Sequence, residues 1–308
     1  MKKIAAFALV LACLLLTGCA GTTVIYQSGD LQNEEQPAPE TPSGVKTGLA
    51  IVTDISGSQS AVAASFDVTV VAVTVDDGGV IRGCLIDGAA AQMTIDGSGA
   101  ITGDTTAPVT TRQEENGVWL RRAEVLMRSA VGKTVGQLRA AGEWDASLFA
   151  AVEKAALSAR SLGASAQDEL RLAIIPDLSG SETGRARLAC DAAAVTLSGD
   201  TVTSCYIDSV QADVTFDDSG SITADLAAAV RTKRELGDDY GMKAYGGAKY
   251  EWYEQADHFA AYVTGMTGPQ VLEIPTAEGK AADADLYASV TITVTPFQRL
   301  VAKACGVA

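Results

Sequence analysis

Hydrophobic and polar positions along the chain form two similar bursts separated by more than a hundred residues. Apolar residues dominate from Phe66 to Val75 and again from Leu188 to Leu197. Each run leads through a glycine-containing turn, Asp77-Gly78-Gly79 or Ser198-Gly199-Asp200, into a returning strand at Val80 to Ile86 or Val202 to Ile207. Two further alternating strands are predicted in each burst, turning at Gly97-Ser98-Gly99 and at Asp218-Ser219-Gly220. The period then lengthens to that of a helix. Trp119, Ala123, Leu126, Met127 and Ala130 fall on one face, as do Trp252, Ala256, Phe259, Ala260 and Val263. Gly132 and Gly265 sit where a helix C-cap belongs. The predicted unit is α+β, a curved antiparallel β-sheet packed by α-helices, used twice.

Aligning the chain with itself supports duplication directly. "LAIVTDISGS" at 49–58 matches "LAIIPDLSGS" at 172–181, "CLID" at 84–87 matches "CYID" at 205–208, and "IDGSGAIT" at 95–102 matches "FDDSGSIT" at 216–223. The offset is 123 and then 121 residues, too long for a solenoid and right for a repeated domain. Further on, Trp119 and "VGKT" at 131–134 match Trp252 and "TGMT" at 264–267 at an offset of 133, so copy two carries about twelve extra residues there. We place copy one at 47–163 and copy two at 168–308.

Ahead of the repeats, Lys2 and Lys3 precede an apolar run from Ile4 to Leu16, which ends at Leu16-Thr17-Gly18-Cys19. This pattern predicts a lipoprotein signal over 1–19, cleaved to leave a lipid-bearing Cys19 that anchors the chain on the extracytoplasmic face of the cell membrane. Residues 20–46 are polar, with acids and prolines and no hydrophobic period, and read as a disordered tether.

Removing Lys2 and Lys3 with the leader takes the formal charge from −15 to −17, which argues against a nucleic-acid partner. Cys190 and Cys205 flank a predicted hairpin, which places them on one face and permits a disulfide; buried free thiols are the default reading.

Catalytic patterns are sparse. "VGKT" resembles the end of a phosphate loop, but Met127 stands where the pattern needs glycine, so a helix cap is the better reading. His258 is the only histidine, which leaves no histidine-based metal site or triad. The segment 232–259 concentrates Tyr240, Tyr245, Tyr250 and Trp252 with Lys233, Arg234 and Lys243, which would suit the walls of a cleft for an anionic planar ligand or, equally, a solvated loop running into a core helix.

"DADLYASVTITVTPF" at 283–297 joins these threads. Alternation from Leu286 to Val294 predicts a strand. The stretch also resembles the D-x-x-S/T-G-A/S-T motif of covalently flavinylated FMN-binding domains, as Asp285-Leu286-Tyr287-Ala288-Ser289-Val290-Thr291. The paired strands around Asp77-Gly78-Gly79 look like the same family. The resemblance implies an FMN-binding-domain-like fold in each copy, Thr291 as phosphoester acceptor and Asp285 as its partner acid; Tyr245 and Tyr250 of the aromatic segment would line the same cleft as Thr291. Ser289 replaces the family's glycine, and Leu148 to Glu153 of copy one puts Glu153 where the threonine belongs. The expected function is that of a membrane-anchored binding or structural surface module without catalysis; the alternative is a flavin-carrying electron-transfer protein.

Overall fold

The structure, a computed structural model, describes residues 44–115 and 117–307, so the expected leader, Cys19 and nearly all of the tether lie outside the described residues. The fold is α+β, with antiparallel sheets and helices. In copy one, β1 (Lys46–Asp54), β2 (Ala63–Val75) and β3 (Ile81–Thr94) form a sheet in the order β1-β2-β3. It is followed by α1 (Arg112–Glu115), α2 (Val118–Ala130), α3 (Val135–Ala140) and α4 (Ala146–Leu157). Copy two repeats the sheet with β4 (Glu169–Asp177), β5 (Arg185–Ser198) and β6 (Thr201–Thr215). Then come α5 (Lys233–Leu236), a 3₁₀ turn over Gly237–Tyr240, α6 (Met242–Gly246), α7 (Trp252–Val263) and α8 (Gly268–Leu272). A small ribbon of β7 (Thr276–Ala277) and β8 (Lys280–Ala281), then α9 (Ala284–Tyr287) and α10 (Thr295–Ala304), complete the chain.

The main sheet of each copy has three strands. The second pair of strands expected in each copy is taken up differently: β3 and β6 run on without a break as far as Thr94 and Thr215, and only single bridges, Ile95 with Ile101 and Phe216 with Ile222, follow. At each Asp-x-Ser-Gly turn, Asp96 or Asp217 accepts backbone N–H bonds from two and four residues ahead at 2.8–3.0 Å, which fixes the turn itself.

The apolar runs are nearly continuous because both faces of each sheet are covered. On β2, Phe66, Val68, Val70 and Ala72 face Leu188, Cys190, Ala192 and Ala194 of β5 in a core shared by the two copies. On the opposite faces, Val71, Val73 and Val75 pack under α2 and α4, while Ala193, Val195 and Leu197 pack under α7 and α10. The result is four layers: helices, sheet, sheet, helices. Cys190 therefore points into the shared core and Cys205 toward α7, on opposite faces of the sheet rather than the expected single face. All four described cysteines are free, and burial pushes the Cys84 and Cys205 thiols up to about 12, where they are unreactive.

The copies match bond for bond. Gly132 and Gly265 donate to Ile81 and Val202 carbonyls at 2.8 Å, and Ile81 and Val202 donate back to the Lys133 and Met266 carbonyls at 2.9 Å. "VGKT" is thus a turn stitched to a sheet edge, with Thr134 capping α3. Lys154 on α4 donates to the Ile51 carbonyl and Lys303 on α10 to that of Ile174, the matching strand position, so α4 and α10 are equivalent. This overturns the pairing of Leu148–Glu153 with the 286–291 segment. Copy one passes from α3 to α4 through residues 141–145, whereas copy two uses 273–294 between α8 and α10, and α9 has no counterpart.

Contacts between the copies also come in pairs. Ala61 donates to the Gly220 carbonyl at 2.8 Å, and Gly184, at the matching position, donates to Gly99 at 3.4 Å. A Cβ on Gly99 would lie 2.3 Å from the Asp217 carbonyl oxygen, and one on Gly220 would lie 2.5 Å from that of Asp96. Only glycine permits that mutual approach.

Candidate functional site

Copy two builds a cleft of about 720 Å³, walled in part by the segments it has and copy one lacks. The local sequence explains its walls. Thr232 caps α5 through a reciprocal bond with Glu235, and glycines with positive φ at 237, 241 and 247 turn the chain sharply into and out of α6. The buried Glu251 carboxylate then accepts the Met242 and Lys243 N–H groups at 2.8 and 3.0 Å, fixing the start of α6 against α7.

Gln255 holds the other wall. Its Oε1 accepts from Thr291 N at 2.9 Å, Thr291 Oγ1 at 3.3 Å and Ile292 N at 3.2 Å, while its Nε2 donates to the Tyr250 carbonyl at 2.9 Å. One buried amide thereby ties residues 291–292 to α7 and to the segment before it.

Between these walls, Trp252 and Phe297 form an apolar floor, their rings edge-on at 5.8 Å, with Asp191 of β5 beside them. Lys233 lies 5.1 Å from the Trp252 ring centroid and 5.6 Å from that of Tyr240. Lys249 and Lys280 complete a basic rim. None of these three ammonium groups has a carboxylate within salt-bridge distance among the described residues. Cations lining an apolar floor give the cleft the chemistry to hold a planar group with an anionic substituent.

The expected site residues are divided by the fold. Thr291 lines the cleft and its side chain reaches solvent. Asp285 is exposed in the first turn of α9, and Ser289 is half-buried with its hydroxyl donating to the Leu286 carbonyl at 3.4 Å; neither lines the cleft. Tyr245 is 91% exposed, and Tyr250 packs edge-on to His258 at 4.9 Å, so the lining tyrosine is Tyr240 instead. Of the basic residues, Lys243 pairs with Glu254, and Arg234 turns away to share Asp257 with Arg160. Burial raises the Asp257 carboxyl, but Arg234 and Arg160 outweigh it and hold it below the usual aspartate range.

The stretch 286–294 is not a strand. Asp283 caps α9 by accepting from Leu286 N at 3.0 Å, and the apolar residues that reach the core are Leu286, Val290 and Val294, spaced by four. Leu286 and Val290 suit alternation and a helical turn alike; the Asp283 cap starts the short α9, and beyond Val290 the chain is irregular, held by Gln255 at residues 291–292 and by the Val294 N–H on the Gly279 carbonyl.

Sequence reasoning missed Gln255, Asp191, Lys249 and Lys280. Gln255 carried a signal, as an amide beside an otherwise apolar helix face, and Asp191 another, as an acid inside "LACDAAAV". No family model, curated protein or solved structure matches the chain. Among the described residues there is no group of three or more His, Cys, Asp or Glu placed to hold a metal ion, and no helix long and apolar enough to cross a membrane.

Proposed function

We propose that the chain is a lipid-anchored extracytoplasmic binding module of two FMN-binding-like halves, in which copy two holds an anionic planar ligand. One observation carries this reading: three free ammonium groups surround an aromatic-floored cleft in a protein whose formal charge is −15. A long-range field of that sign repels anions, so a local basic rim has to come from the site itself. Nothing in the cleft pairs a nucleophile with a base, which favours binding over catalysis.

FMN serves as the test probe because it combines a planar ring with a phosphate. Titration followed by flavin fluorescence is expected to saturate. Lys233→Glu should weaken binding at least tenfold, about 1.4 kcal/mol. Absence of saturation up to millimolar FMN would sink the proposal.

The second reading is covalent attachment, favoured by the exposed Thr291 side chain at the cleft wall. Coexpression with a flavin transferase, which passes the FMN half of FAD to the hydroxyl and releases AMP, should then add the mass of FMN less one water, and Thr291→Val should abolish the gain. An unmodified intact mass in the parent protein removes this reading and leaves reversible binding to stand or fall by the titration. The anchor is tested separately by membrane fractionation, where Cys19→Ala should release the chain to the soluble fraction.

A further inference from the structure

The fold gives no reason for the aspartate at position 191. Asp191 stands in β5, the middle strand of its sheet, between Ile175 of β4 and Ser209 of β6. It shares its strand face with Ala193 and Val195, the face that α7 and α10 cover, and it lines the cleft beside Trp252. Aspartate is disfavoured in a strand, and half-burying a carboxylate costs free energy that a partner normally offsets. Among the described residues Asp191 has none. No cation lies within salt-bridge distance of it, and its only hydrogen bond outside the strand ladder goes to its backbone carbonyl, from Cys190 Sγ at 3.9 Å. The two arginines on the same face of β5 are taken, Arg187 by Asp213 through two bonds at 2.6 Å and Arg185 by Glu182.

Copy one shows that the sheet needs no acid there. Val73 pairs with Cys84 and Val195 with Cys205, and the two cysteines match in the repeat, so Asp191 corresponds to the buried Thr69. The carboxylate thus belongs to the copy that has the cleft. A carboxylate only accepts hydrogen bonds, whereas Lys233, Lys249 and Lys280 on the rim only donate them. A ligand that met the lysines alone would cover the carboxylate and leave it unpaired, at a cost in affinity. One that brings N–H donors to Asp191 and an anion to the lysines satisfies both.

We propose that Asp191 makes the cleft selective for a planar heterocycle with an aminopyrimidinone edge, the edge of guanine and of pterins, joined to an anionic group. That edge presents two adjacent N–H donors, one on a ring nitrogen and one on the neighbouring amino group. A carboxylate accepts both in parallel, as it accepts the fork of an arginine. Adenine instead presents one donor beside a ring nitrogen whose lone pair would face the carboxylate. This selectivity rests on the reading of the cleft as a site for an anionic planar ligand and names the edge that the ring must carry.

The test is titration calorimetry of the full chain in detergent with guanosine monophosphate, adenosine monophosphate, folate and FMN. Guanosine monophosphate is expected to bind at least about tenfold more tightly than adenosine monophosphate. Asp191→Asn should weaken guanosine monophosphate by about the same factor without weakening adenosine monophosphate, which also shows that the cleft is still formed. Asp191→Thr, which installs the residue of copy one, should do likewise. Equal affinity of the parent for the two nucleotides overturns the selectivity, as does guanosine monophosphate binding that both variants leave unchanged; saturation by FMN in either case leaves the cleft reading standing. If none of the four compounds saturates the chain up to millimolar concentration, the cleft reading fails and the selectivity falls with it. Folate bound more tightly than guanosine monophosphate identifies the source of the edge as a pterin, and the reverse order as a nucleotide; either order, with the loss in Asp191→Asn, supports the proposal.

Discussion

Gln255 gathers three donors on one oxygen and spends its own N–H on a fourth partner, so the geometry of the cleft wall rests heavily on one side chain. Gln255→Ala strands the buried side of these bonds, at roughly 1 kcal/mol net for each bond not remade by water. We expect a loss of about 2 kcal/mol in urea denaturation and new proteolytic cleavage near residues 288–293; an unchanged midpoint would refute the role. Asp208 makes a different prediction. Burial raises its carboxyl above the usual value, and the Thr232 hydroxyl, the Arg234 charge and the backbone N–H groups of Ser209 and Arg234 only partly oppose this. The native state then holds the proton more tightly than the unfolded chain, whose aspartates titrate near 3.8. Stability is therefore lost as pH rises from there through the folded value. Asp208→Asn should remove that loss, so its stability relative to the parent should grow between pH 4 and pH 7, and a difference that shrinks would contradict the assignment. Neither role was legible in the sequence. The loop that Gln255 binds lies 36 residues away, and Asp208 looked like a match in a repeat rather than a buried acid.

At the level of elements, the sequence was read well where one periodicity dominates and poorly where two coincide. The amphipathic patterns after Trp119 and Trp252 appear as α2 and α7; the α7 face is buried as expected, while on α2 Ala123, Leu126 and Ala130 are buried, Trp119 and Met127 are half-buried, and Leu120 joins the core. Leu286 to Val294 failed because Leu286 and Val290 satisfy a strand and a helical turn alike, and because the irregular remainder is held by partners distant in sequence, Gln255 and Gly279. The "VGKT" turn shows the reverse case, in which the sister sequence "TGMT" already marked Lys133 as dispensable. Its contribution to the sheet edge is made by its backbone carbonyl. Lys133→Met should therefore change stability by less than about 0.5 kcal/mol. Gly132, at φ +81°, is not dispensable. Gly132→Ala should cost on the order of 1 kcal/mol, measured by the same denaturation, and equal effects of the two substitutions would count against the backbone account.

The whole molecule is organised around the face where one sheet lies on the other, and this could not be read from either repeat alone. The apolar runs at 66–75 and 188–197 predicted strands packed by helices, but nothing in them said that the other face of each sheet would be covered by the other sheet. Residues 44–163 expressed alone should expose Val68, Val70 and Ala72, bind a hydrophobic dye and aggregate, whereas coexpression with 164–308 should restore a soluble complex. A soluble, dye-silent 44–163 fragment would show that copy one has a sufficient core of its own. The paired contacts at the Asp-x-Ser-Gly turns carry a further consequence. A surface that meets its own counterpart with donor and acceptor exchanged is what identical subunits present across a twofold axis. The chain thus has the build of a homodimer whose protomers have been joined end to end. Joining frees each half from having to serve both sides of the axis. Copy two is the longer at two places and forms a cleft, while copy one is shorter and has none of the residues 273–294 that wall that cleft. The glycines at 99 and 220 keep the one contact that both halves still make alike.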